Sequence, residues 1–150
     1  MASYDSVSQL YLDSFGQGRL ATISASTFNT TGNAVYALPI VSGGLTNSGN
    51  SATSGAVIVR RVTVNNPSGS LSSAYISITT SNDGNASNAV VANAALSSIT
   101  GINTFQDMTI AGGNVVVNGN TTSTLYVNVN VVAGNTNTAS IQVYGDVVKF

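Results

Sequence analysis

Short segments in which apolar and polar residues alternate recur along most of the chain. Residues 125–131 show the alternation most clearly, and residues 74–79 repeat it. Because successive side chains of a strand point to opposite faces, this period of two predicts half-buried β-strands. In the first segment the residues predicted to face the core are Leu125, Val127, Val129 and Val131. Those predicted to point outward are Tyr126, Asn128 and Asn130.

Strands at near-regular spacing, separated by turn residues, predict the fold class. Further strands are expected at 19–24, 34–41, 56–64, 89–96, 115–117 and 141–148. Asp83-Gly84 marks a turn, and Asn118-Gly119 predicts a hairpin that joins residues 115–117 to the strand from Leu125. Pro39 lacks a backbone N–H, which places its strand at an edge or at a bulge. We therefore expect an all-β fold, an antiparallel β-sandwich of jelly-roll type with about eight strands, as one domain over residues 19–150.

Two segments stand outside the alternating pattern. In residues 1–18 the side chains of Tyr4, Val7, Tyr11 and Phe15 are spaced three to four apart, which suits either a short helix with an apolar stripe or an extended arm. This segment either folds back on its own sandwich or reaches a neighbouring molecule. Residues 42–55, which include Leu45, form a loop longer than compact domains usually carry.

The composition is nearly free of charge, which reduces the number of functional classes that the chain can belong to. Only 6% of the residues are charged, with four basic and five acidic residues, no histidine and no cysteine. Without His, Cys or Glu the usual acid–base, nucleophilic and metal-ligand sets are missing, so we expect no enzyme activity, no metal site and no cofactor. Weak electrostatic repulsion favours association with other protein subunits.

Nucleic acid and membranes are not expected partners. Four basic residues cannot neutralise a phosphate track. No stretch approaches eighteen apolar residues, and the first residues show no pattern of a signal peptide.

The pair Arg60-Arg61 interrupts a segment, 57–64, that is apolar at both alternating sets of positions and is typical of a central strand. Adjacent strand residues point to opposite faces, so one arginine is expected on the more buried face. It either extends its head group to solvent or meets an aspartate across a subunit contact.

Residues 74–91, from Ala-Tyr-Ile-Ser-Ile to Ala-Val-Val, and the ending Ile141-Gln-Val-Tyr-Gly-Asp-Val-Val resemble small virion structural proteins of tailed bacteriophages, in particular capsid decoration (cement) proteins. The resemblance implies a β-sandwich that oligomerises and binds the outside of a capsid lattice. The implied partners are the major capsid protein and other copies of the chain, with a trimer expected by analogy. The implied location is the outer capsid surface of the virion, after assembly in the host cytoplasm.

From these observations we expect a phage capsid decoration protein that stabilises contacts between capsomers through many weak contacts. A carbohydrate-binding or adhesin head, such as a fibre-tip domain, is the alternative, with Tyr75, Tyr126 and Tyr144 as sugar-stacking faces. A shell-forming protein in its own right is a third possibility. The predicted capsid or subunit contacts are Tyr4, Val7, Tyr11, Phe15, Leu45, Arg60 and Arg61.

Overall fold

The computed structural model describes residues 3–5, 10–12, 18–40, 55–113, 115–118 and 124–149. These residues form eleven β-strands and one short 3₁₀ helix, Ala86–Asn88. The strands are β1 (Ser3–Asp5), β2 (Leu10–Leu12), β3 (Gly18–Thr27), β4 (Gly32–Pro39), β5 (Gly55–Asn65), β6 (Tyr75–Thr79), β7 (Ala89–Ala95), β8 (Gln106–Met108), β9 (Val115–Asn118), β10 (Thr124–Val131) and β11 (Thr138–Lys149).

The described strands make two antiparallel sheets that pack face to face. The large sheet has the order β1-β2-β3-β11-β5-β8, with β9 also paired to β5, and the small sheet has the order β4-β10-β6-β7. The series β3-β11-β5-β8/β9 opposite β4-β10-β6-β7 is the strand order of a jelly roll, a double-sheet fold of two Greek keys. The predicted antiparallel β-sandwich of jelly-roll type is confirmed. The strand count exceeds eight because β1 and β2 extend one edge and because β8 and β9 share one jelly-roll position.

The core lies between the sheets and is built from the inward residues of both. On β10, Leu125 and Val127 are fully buried and Val129 is 1% exposed, as the alternation predicts. Val131 is 45% exposed, so its predicted core position is wrong. The other apolar side chains with no exposure are Ala21, Phe28, Leu38, Val57, Val59, Val62, Val64, Leu71, Ala74, Ile76, Ile78, Val90, Val91, Leu96, Ile99, Ala139, Ile141 and Val143.

A β-bulge explains the position of Val131. Val129 pairs with Ile76 of β6, but Val131 pairs with the very next residue, Tyr75, so Asn130 is an extra residue in β10. An extra residue in one strand shifts every following side chain to the opposite face. Val131 therefore lies beside Tyr75 on the outer face of the small sheet, the face turned away from the large sheet.

The predicted hairpin at Asn118-Gly119 is not formed. β9 pairs with β5 along Ala56–Val59, whereas β10 pairs with β4 and β6 in the other sheet. The two strands therefore belong to different sheets, and Val117 of β9, which pairs with Val57 of β5, is buried in the core. The edge position predicted from Pro39 is confirmed, because β4 is an outer strand of the small sheet and ends at that proline.

The described part of the N-terminal segment forms paired strands instead of the helix that the sequence offered as one alternative. Tyr4 of β1 lies directly opposite Tyr11 of β2, and Leu12 of β2 pairs with Gly18 of β3. The two short strands thus continue the large sheet beyond β3. Val7 and Phe15 lie outside the described residues, as do Leu45 and the rest of the 42–54 segment.

A second bulge, in β5, changes the position of the two arginines. Tyr144 of β11 pairs with Arg61, but the next residue, Gly145, pairs with Val59, so Arg60 is the extra residue. Inward side chains accordingly shift from odd positions before the bulge to even positions after it, with Val59 and Val62 both fully buried. Both arginine side chains therefore point away from the core, on the outer side of the large sheet. The expectation that one of them points to the buried face is wrong.

The same bulge makes Gly145 intolerant of a side chain. A Cβ atom there would lie 1.9 Å from the backbone oxygen of Ile58, which cannot move without breaking the sheet. We expect Gly145→Ala to lower the free energy of unfolding by about 3 kcal/mol, the upper end of overpacking costs. Thermal and urea unfolding followed by circular dichroism measure this. Gly101→Ala is the matched control, because a Cβ at Gly101 meets no atom within 4 Å; equal stability of the two variants would contradict the register.

Candidate functional site

Four loops gather at one end of the sandwich and form one ordered surface, which we call the loop end. Backbone and side-chain hydrogen bonds join them: Leu71 N–H donates to Ile99 O at 2.8 Å and Ala133 N–H donates to Phe28 O at 2.7 Å. Ser73 Oγ donates to Ala133 O at 2.8 Å. The four loops are residues 28–31, 66–74, 96–105 and 132–137.

Asparagine side chains complete the loop end and account for part of the unusual composition. The Nδ2 groups of Asn135 and Asn137 both donate to Ser70 O at 3.0 Å. Asn135 Oδ1 also accepts from the backbone N–H of Asn137 at 3.0 Å. Loop carbonyls that lack a strand partner are thus satisfied by amides, which carry no charge.

The loop 96–105 presents two large apolar side chains to solvent. Ile102 is 64% exposed and Phe105 is 61% exposed; we call this pair the loop tip. Gln106 clasps the base of the loop, since its Nε2 donates to Ala95 O at 2.7 Å and its Oε1 accepts from Ser98 N–H at 2.9 Å. Thr104 Oγ1 donates to Gly101 O at 2.5 Å within the turn. The loop tip is therefore held in place before any partner binds.

The loop end carries no charged residue. Two ion pairs of the described residues lie instead on the outer face of the large sheet. Arg60 Nε is 2.8 Å from Asp146 Oδ2, and Arg61 Nε is 2.8 Å from Asp107 Oδ1. The four side chains are 24–51% exposed, so each pair contributes only about 0–1 kcal/mol. Both arginines thus meet aspartates of their own chain, and their role as subunit contacts stays a prediction.

The three tyrosines of the carbohydrate alternative do not form one sugar-stacking face. Tyr75 of β6 is 38% exposed, and Tyr126 of β10 is half-buried, both in the small sheet. Tyr144 belongs to β11 in the large sheet and is only 7% exposed. Its hydroxyl donates to Gln142 Oε1 at 2.7 Å, and the Arg61 guanidinium lies 6.0 Å from its ring centroid.

A polar network covers the outer face of the small sheet and buries Asn128, which was expected to face solvent. Asn128 is 1% exposed. Its Nδ2 donates to Thr79 Oγ1 at 3.0 Å, and its Oδ1 accepts from the backbone N–H of Ala34 at 2.7 Å. Ala34 has a left-handed φ of 51° in an irregular part of β4, and this conformation brings its N–H over the sheet. Residue alternation correctly gives the outward face, but it does not reveal that β4 covers this position.

The loop between β6 and β7 lies against the same face. Asp83 Oδ1 accepts hydrogen bonds from the Ser81 hydroxyl and, at 3.0 Å, from the Asn85 N–H. The hydrogen bond from Ser81, and to a smaller extent the one from Asn85, hold the pKa of Asp83 below its ordinary value. Asn33 Nδ2 ties the loop to β4 by donating to Asp83 O at 2.8 Å. The predicted Asp-Gly turn is present, with Gly84 at φ +68°.

Across the described residues, no group of three or more His, Cys, Asp or Glu side chains could hold a metal ion. No helix in this part of the chain is long and apolar enough to cross a membrane. The strongest surface features are therefore the loop tip and the polar outer face of the small sheet. Comparison with protein-family models, with curated proteins and with solved structures finds no match to this chain.

Proposed function

We propose that the chain is a decoration protein of a tailed-phage capsid, binding the major capsid protein and copies of itself on the outer surface of the virion. The observation that carries the proposal is the uncharged, hydrogen-bonded loop end with Ile102 and Phe105 exposed at its tip. Jelly rolls occur in viral capsid proteins and in lectins, so the fold is compatible with the proposal by analogy alone. The resemblance of residues 74–91 and 141–148 to virion structural proteins supports it independently.

The loop end suits a static contact better than a reversible, charge-steered one. Its residues can be covered without desolvating a charge, which would cost several kcal/mol per ion. Full burial of a side chain such as Ile102 or Phe105 contributes roughly 1.5–3 kcal/mol from area alone. The clasp made by Gln106 reduces the conformational entropy lost on docking. Repetition over many copies in an oligomer then turns a weak single contact into stable attachment.

The double variant Ile102→Ser/Phe105→Ser tests the docking contact. We expect at least about a tenfold loss of affinity for capsids, equivalent to about 1.4 kcal/mol, with the fold unchanged. Co-sedimentation with capsids that lack the protein measures affinity, and cryo-EM of the particles measures occupancy. Val116→Ser is the matched control, because Val116 is also 64% exposed but lies on β9, at the opposite end of the sandwich.

A chain that starts at Gly18 provides the second arm of that experiment. Because β3 begins at this residue and, among the described residues, the Leu12–Gly18 pair alone joins it to β2, the jelly roll should survive the truncation. Weaker occupancy would assign part of the contact to the N-terminal segment that includes Tyr4 and Tyr11. Full occupancy by both the truncated protein and the double variant would contradict docking through either element.

A carbohydrate-binding head or fibre-tip domain is a second candidate function. One observation favours it: a pocket with hydroxyl and amide groups opens on the outer face of the small sheet. The tyrosines named for this alternative do not line that pocket, so the two candidate sites are separate.

A further inference from the structure

A pocket of about 320 Å³ lies where the loop between β6 and β7 meets the outer face of the small sheet. We call it the outer pocket. Its volume falls at the lower end of the range, about 300–1,000 Å³, that small-molecule sites occupy. Every lining residue that the structure describes is uncharged: Ser77, Thr79, Gly84, Ala86, Ala89, Ala92, Asn93 and Asn130.

Two β-bulges build the rim of the outer pocket on either side of Ser77. Asn130 is the extra residue of β10. On the other side, Ile76 pairs with Ala94 and Ile78 with Val91, so that Ala92 and Asn93 together stand opposite Ser77. Bulges turn side chains out of the regular alternation and are frequent beside functional sites.

The two rim amides leave one donor and one acceptor for a ligand. Asn130 Nδ2 donates to Asn93 Oδ1 at 2.9 Å. Within the described residues, the Nδ2 of Asn93 and the Oδ1 of Asn130 have no hydrogen-bond partner. In the amide orientations of the structure, one NH₂ group and one carbonyl oxygen at the rim are therefore open to a ligand.

The floor of the outer pocket holds a buried hydroxyl that lacks an acceptor. Ser77 is only 9% exposed, and its Oγ accepts two long hydrogen bonds, from Asn128 Nδ2 and Asn130 Nδ2, each at 3.4 Å. Among the residues that the structure describes, no group accepts the hydrogen of this hydroxyl. Because Ser77 lines the outer pocket, its hydroxyl is placed to donate to an acceptor oxygen of a ligand that enters there.

The pocket is preorganised around these groups. A Cβ atom at Gly84 would displace the Asn33 amide, whose hydrogen bond to Asp83 O ties the loop wall to β4. Behind the floor, Asn128 fixes the Ser77 and Thr79 hydroxyls through its amide. Little ordering is therefore left to the moment of binding.

The lining is complementary to an acetamido group. The methyl group of such a ligand matches the methyl groups of Ala86, Ala89 and Ala92, its carbonyl oxygen matches the Ser77 hydroxyl and the free NH₂, and its N–H matches the free amide oxygen. The absence of charge from the lining, with ionised Asp83 in the adjoining loop, disfavours anionic ligands. We propose that the outer pocket binds a neutral sugar residue that carries an acetamido group, an N-acetylhexosamine. This inference does not rest on capsid attachment.

Saturation-transfer NMR and calorimetric titration with N-acetylglucosamine, N-acetylgalactosamine, glucose and galactose test the proposal on the full chain. We expect saturable one-to-one binding of at least one acetamido sugar, at least about tenfold tighter than its parent hexose. Ala92→Leu, which fills the pocket from an exposed position, should weaken that binding by a further factor of about ten or more.

Ala37→Leu is the matched control, because Ala37 is an exposed alanine of the same sheet that does not line the pocket. Asn93→Ala, with Asn29→Ala of the β3–β4 turn as its control, tests the rim amide in the same way. Saturable binding that Ala92→Leu abolishes and Ala37→Leu preserves supports the proposal. No saturable binding of either acetamido sugar, equal binding of the parent hexoses, or binding unaffected by Ala92→Leu would each overturn it, whatever the capsid experiment shows.

Discussion

Val129→Asp is expected to unfold the domain. Val129 is 1% exposed in the middle of the core, paired with the fully buried Ile76. The arginines of the two ion pairs lie on the outer side of the large sheet, so they offer no counter-charge to a carboxylate at position 129. An unpaired buried charge, together with the lost apolar contacts, should cost on the order of 5 kcal/mol, comparable with the total stability of a small domain.

Val131→Asp is the control that makes this experiment specific. It introduces the same residue on the same strand, two positions further on, where the alternation of the sequence predicts an identical outcome. Because the Asn130 bulge turns Val131 to the outer face, where it is 45% exposed, we expect a cost of no more than about 1 kcal/mol. Circular dichroism and two-dimensional NMR of both variants measure the difference. Unfolding of both would place Val131 in the core and remove the bulge.

The strands were predictable from the sequence because burial of one face imposes a period of two. The same logic fails wherever an extra residue enters a strand, as at Asn130 and Arg60. A bulge leaves the local composition unchanged and depends on the register against a partner strand that is distant along the chain. The prediction for Val131 and the prediction for the two arginines failed for this one reason.

The candidate sites were less accessible to sequence reasoning than the fold. Ile102 and Phe105 belong to no alternating segment, and two large apolar residues in an uncharged loop were the available signal for the loop tip. The outer pocket left no such signal. It depends on the side-by-side placement of β10, β6 and β7, which span residues 75–131, and on the two bulges that aim Asn93 and Asn130.

Asn128→Asp is expected to be strongly destabilising in a pH-dependent way, although the alternation of the sequence predicts an outward position for this residue. The substitution keeps the shape of the side chain and the acceptor for the Ala34 N–H, but it removes the NH₂ group that donates to Thr79 and Ser77. At neutral pH it also places a charge at a position that is 1% exposed. We expect a loss of about 3 kcal/mol at pH 7, from the desolvated charge and the broken hydrogen bonds.

The pH dependence follows from the direction of the shift. Burial should raise the pKa of the introduced carboxyl above its unfolded value of about 3.9, so the folded state binds more protons than the unfolded state over the interval between the two values. The free energy of unfolding should therefore fall as pH rises from about 4, and level off above the pKa of the folded state. At acid pH the protonated carboxyl regains one donor and part of the lost stability. Urea unfolding of the variant and the parent protein between pH 4 and 8 measures the difference, with Asn29→Asp in the exposed β3–β4 turn as the control. A penalty that stays flat over this range, or that matches Asn29→Asp, would show that Asn128 is open to water and that β4 does not cover the sheet.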